Sequence, residues 1–91
     1  MTRITEIRFT LEYCSARTLV CLANAASQEV DDTAMAPELS NAEHKRLSKR
    51  FEDIVLELKT PDKWKDFKNT FGPRAELSDY VRIPHHLHVG V

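Results

Sequence analysis

The chain has 91 residues, 42% hydrophobic and 30% charged, with a formal net charge of −1 and a pI near 6.4. That length suits one domain spanning 1–91 with a single core, and leaves no room for a deep cleft between domains. The near-zero charge excludes a strong overall field toward nucleic acid or an anionic membrane, and no apolar run approaches the roughly 18 residues of a bilayer span.

Two cysteines, Cys14 and Cys21, are too few for the disulfide framework of a small secreted domain. Arg3, Glu6, Arg8 and Glu12 interrupt the start of the chain, so no signal peptide of the usual design is legible. Both features point to the cytoplasm.

Residues 3–13 alternate, with Ile7, Phe9, Leu11 and Tyr13 on one side and Glu6, Arg8, Thr10 and Glu12 on the other. Period two with β-branched and aromatic residues predicts a strand with one buried face. Ser15 is placed to cap a following helix, whose apolar stripe is Leu19, Leu22, Ala23, Ala26 and Val30. A short strand over 19–22 is the alternative there. Residues 31–39 lack a period, contain Pro37 and read as an acidic loop.

Ser40-Asn41-Ala42-Glu43 spells a capping box, and Leu47, Phe51, Ile54, Val55 and Leu58 then line one side of a long helix over 41–59. Pro61 closes that helix, and Thr60-Pro61 opens a third one, with threonine as cap and proline at the first helical position. Trp64, Phe67 and Phe71 share its inner face, and Gly72-Pro73 stops it. From Tyr80 to Val91 the alternation returns, with Val81, Ile83, Leu87, Val89 and Val91 on one side. Pro84 interrupts that run and marks an edge or a bulge. The expected fold is α/β of the α+β type. A two-stranded sheet of N- and C-terminal strands carries three helices on one face, in the order β-α-α-α-β.

Catalytic signatures are absent. Gly72 and Gly90 are the only glycines, which leaves no glycine-rich phosphate loop. Cys14 and Cys21 stand seven apart, outside redox and zinc-ribbon spacings, and read as incidental small residues. His86 and His88 share a strand face, where Asp79, His44 or a partner chain could complete a metal site; the bland alternative, a solvated face beside Arg82 and opposite Glu6 or Glu12, is favoured. The tract 84–91 does not complete a histidine-triad pattern, because Gly90 stands at the third alternating position. No catalytic residue, metal or cofactor is expected.

The unusual feature is charge. Glutamates and aspartates outnumber the basic residues Arg3, Arg8 and Arg17 in the first forty positions, whereas His44, Lys45, Arg46, Lys49 and Arg50 crowd the first turns of the long helix. Cations there oppose the helix dipole and repel one another at i,i+4 spacing. Either an anionic partner or neighbouring acids must offset them, namely Glu29, Asp31, Asp32, Glu38 and Asp53. Leu56 lies opposite the apolar stripe of the same helix.

These features predict a non-enzymatic interaction or regulatory protein that binds a macromolecular partner and modulates or blocks it. Small motif-poor intracellular chains of this kind include phage or mobile-element inhibitors of host enzymes and immunity proteins. The expected contact residues are Lys45, Arg46, Lys49, Arg50, Arg8 and Leu56. A protein partner is the first expectation, with a homodimer paired through strand 4–12 as one form of it. A nucleic-acid-binding regulator using the basic half of helix 41–59 is the alternative. No membrane role is expected.

Overall fold

The computed structural model describes residues 11–35 and 41–87. Among these the chain is helical, with α1 at Ala16–Ala34, α2 at Asn41–Leu58, α3 at Pro61–Phe71 and the single turn α4 at Leu77–Tyr80. The described residues contain no strand, which overturns the expected α/β sheet.

Both predicted strands fail where they are described. Residues 11–13 are helical, with Leu11 half-buried and Tyr13 82% exposed, so their alternation does not mark one buried face. The rest of that segment, with Arg8, Ile7 and Phe9, lies outside the described residues. Strand-edge pairing of a homodimer through residues 4–12 therefore loses its geometry at residues 11 and 12, the described end of that segment. At the other end, Tyr80 closes α4, Val81 is extended, and residues 81–84 form no strand before a turn at 85–86. Val81 is buried, but Ile83, assigned to the same apolar side, is 51% exposed. Alternation reports which side chains face inward; a strand also needs a neighbouring backbone to take its amides and carbonyls.

The helices form for the reasons legible in their sequences. Ser15 occupies the N-cap of α1 in extended geometry, and its Oγ accepts the Thr18 amide at 3.2 Å. The stripe Leu19, Ala23, Ala26 and Val30 is buried, which overturns the alternative strand at 19–22. Its alanines let the α1 backbone lie close to α2, its principal neighbour. On α2, Leu47, Phe51, Ile54 and Leu58 fill the other side of this interface, with Val55 half-buried at its margin. Ser40, the expected cap of α2, lies outside the described residues.

Thr60 is the N-cap of α3 with Pro61 at the first helical position. Its hydroxyl does not cap, however: it donates to the Glu57 carbonyl at 2.7 Å and tightens the end of α2 instead. Gly72 ends α3 at φ 121° and ψ 149°, a positive-φ geometry that L-residues avoid. Lys68 donates to the carbonyls of Pro73 and Ala75, both at 3.1 Å, placing a cation at the C-terminal end of α3 where the dipole favours it.

Phe67 is fully buried at the centre of an aromatic group. Its ring stacks on Trp64 at 4.8 Å, tilts against Phe71 at 5.0 Å and meets Tyr80 edge-on at 6.0 Å. These rings close one end of the core, as the spacing of the first three predicts. Trp64 keeps some exposure, and Lys68 sits over its face at 5.3 Å.

Candidate functional site

The outward face of α2 carries the expected contact residues. Helical spacing puts Lys45, Lys49, Glu52 and Leu56 in one row opposite the buried stripe, with Arg46 and Arg50 on its flank. The four cations and Leu56 are exposed, Leu56 at 62%, and Glu52 is half-buried. Part of the charge is met within the helix itself. Arg46 pairs with Glu43 one turn earlier, and Lys49 bonds Asp53 at 3.0 Å one turn later. Glu43, and more weakly the field of Glu29, hold the Arg46 guanidinium above its ordinary pKa against the opposing effect of desolvation. Asp53 acts as its spacing predicts. Asp31 and Asp32 do not: Asp31 turns to the C-terminal segment, and Asp32 accepts from Gln28 at 2.9 Å. Glu38 lies outside the described residues. Among the described residues, Lys45 and Arg50 enter no ion pair.

A second constellation joins α1 to the segment after α4. Asn24, Ser27 and Asp31 recur at i, i+3 and i+7 along the edge of the buried stripe of α1. The Asn24 carboxamide donates to the Tyr80 carbonyl and accepts the Arg82 amide, both at 2.8 Å. The Arg82 guanidinium reaches Ser27 Oγ at 3.4 Å and Asp31 Oδ2 at 2.5 Å. Asp31 Oδ1 accepts the His86 amide at 2.9 Å and lies 3.3 Å from His86 Nδ1.

Asp31 is a buried acid, its side chain 9% exposed. Burial pushes its pKa upward. The amides of His86 and His85, the His86 ring and the Arg82 guanidinium together outweigh that and bring it down to about 2. The carboxylate is thus ionised, fully engaged and structural in its bonding.

The histidines have separate surroundings. His86 faces Asp31, His85 is exposed, His44 is half-buried on α2, and His88 lies outside the described residues. Among the described residues no group of three histidine, cysteine or acidic side chains is placed to hold a metal ion. Cys14 and Cys21 are free thiols, the first half-buried and the second exposed. No described helix is long and apolar enough to cross a membrane.

Sequence reasoning passed over Asn24 and Ser27, placed Arg82 on a solvated strand face, and assigned Asp31 to a loop over 31–39, whereas residues 31–34 are the last turn of α1. A signal did exist. A polar row at i, i+3, i+7 beside an alanine-rich stripe marks a helix edge that packs against something polar. The partner, more than fifty residues downstream, carries no local mark of the pairing.

No protein family, curated protein or solved structure matches the chain.

Proposed function

We propose that this chain is a cytoplasmic, non-enzymatic interaction module that binds an acidic protein surface through the outward face of α2. The observation that carries this reading is Leu56, 62% exposed and in line with Lys45 and Lys49 on the side of the helix turned away from the core. Leu56 has Glu52 and Asp53 one turn before it and Lys59 three residues after it, and Lys45 and Lys49 lie further along the same row, so the face suits a partner that is apolar opposite Leu56 and acidic opposite the lysines. Phosphate backbones would use the cations but leave the leucine without a role. Arg46 and Lys49 already have carboxylate partners on their own helix, which lowers the charge available for phosphates. Lys45 and Arg50 remain to steer an acidic protein surface. The two free thiols accord with a reducing compartment.

A photo-crosslinking residue at Leu56, compared with one at the exposed Gln28 of α1, tests the reading in native lysate. A specific protein adduct at Leu56 that disappears with Lys45→Glu supports it. Adducts to nucleic acid, or no enrichment over position 28, would reject it in favour of the nucleic-acid reading or of neither.

A further inference from the structure

We infer that the Asn24–Ser27–Asp31 edge of α1 is a recognition surface for a peptide segment of apolar-Arg-x-Pro chemistry, occupied in cis by residues 80–86 and able to take such a segment in trans. The geometry of Asn24 is the first argument. Its carboxamide donates to the carbonyl of residue 80 and accepts the amide of residue 82. A residue in a parallel strand binds its neighbour's carbonyl and second-next amide in this pattern, so the side chain stands in for a missing strand. Every peptide offers those two groups. The grip is therefore independent of sequence.

Selectivity comes from the flanking contacts. Asp31 and Ser27 take the guanidinium of the residue whose amide Asn24 holds, and a buried carboxylate discriminates strongly for arginine. Asp31 also takes the amide four residues further on. Val81, just before the arginine, and Pro84, two beyond it, are the buried side chains of the segment. A proline there needs no amide partner, which suits a segment held on a helix by side chains alone.

The segment is built to exchange. Between residues 81 and 86 only Val81, which joins the hydrophobic core, and Pro84 are buried, while Arg82, Ile83, His85 and His86 are exposed. Among the described residues, its hydrogen bonds to α1 run to side chains rather than to a backbone ladder. Elements with few buried apolar groups open well below the global unfolding free energy.

Two measurements on the full chain decide the matter. Amide hydrogen exchange in the wild-type protein should show Arg82 and His86 at least about 30-fold less protected than Leu19 and Ile54, the signature of local opening. Equal protection overturns the inference, because the segment then belongs to the cooperative core. In Arg82→Glu, where two carboxylates face each other, a labelled peptide of residues 78–87 should bind saturably. Binding should weaken at least about tenfold when the peptide itself carries Arg82→Glu, or when Asp31→Asn is added to the protein, since each removes a charge-assisted contact. Absence of saturable binding at millimolar peptide overturns the inference. Loss of the helical circular dichroism in Arg82→Glu does so as well, since it shows that the segment cannot leave without the fold.

Discussion

Asp66 of α3 accepts the backbone amide of Ala16, the first residue of α1, at 2.8 Å across fifty positions of sequence. The first turn of α1 has no acidic residue of its own. The capping work is therefore divided: Ser15 serves the Thr18 amide locally, and Asp66 brings both an acceptor and a negative charge to the positive end of the helix. One turn away on α3, Lys63 donates to the carbonyls of Glu12 and Cys14, at 2.6 and 2.7 Å. The junction between the helical residues 11–13 and α1 is thus held from both sides by one face of α3.

Removing this bracket should cost stability without touching the α1–α2 core. Asp66→Ala is expected to lower the unfolding free energy by about 1–2 kcal/mol, the range of a lost N-terminal cap. Ser15→Ala should cost about 0.5–2 kcal/mol. Urea denaturation of the single and double variants measures both; near-additive losses would show that two different amides are being served.

Phe67→Ala should destabilise the protein by about 3–5 kcal/mol, since the ring is fully buried and holds Trp64, Phe71 and Tyr80 together. Phe51→Ala, in the α1–α2 interface, belongs in the same range. The Trp64 near-ultraviolet dichroism should change in the first variant and persist in the second while each remains folded.

The acid response of the C-terminal segment should depend on Asp31. Its folded pKa of about 2 lies below the ordinary 3.8, so the ionised form stabilises the native state above pH 3.8. That contribution falls as the pH drops from 3.8 toward 2 and is gone below it. The groups that face this carboxylate are Arg82, His86 and the His85 amide. Asp31→Asn should be less stable than wild type at pH 7, and the gap should close across that acid window. A gap independent of pH would show that packing, not charge, sets the role of the residue.

On the outward face of α2, Leu56→Asp and the pair Lys45→Glu with Arg50→Glu should each shift stability by no more than about 0.5 kcal/mol, as exposed positions do. Any nucleic-acid binding detected at low salt should fall steeply as salt rises and vanish in the charge-reversed pair. Fluorescence anisotropy with duplex DNA across a salt series measures this. A complex that survives physiological salt would favour the nucleic-acid reading over the acidic protein.

Local chemistry made the helices legible. Ser15, the stripe from Leu19 to Val30, the row from Leu47 to Leu58 and the Thr60-Pro61 start are each decided within a few residues, by cap geometry and by a 3.6-residue period. The outward placement of Lys45, Lys49 and Leu56 follows from that period as well. The segment from Tyr80 was misread as a strand, because Tyr80 ends α4 and residues 85–86 turn, and its partner was not legible at all. A strand is a relation between two backbones, and here the side chains of Asn24 and Asp31 supply the donors and acceptors that a second strand would have offered. Nothing within ten residues of Arg82 announces that carboxylate. Only the tertiary structure, by laying residues 80–86 along the edge of α1, decided that alternation here means a clamped strap rather than a sheet.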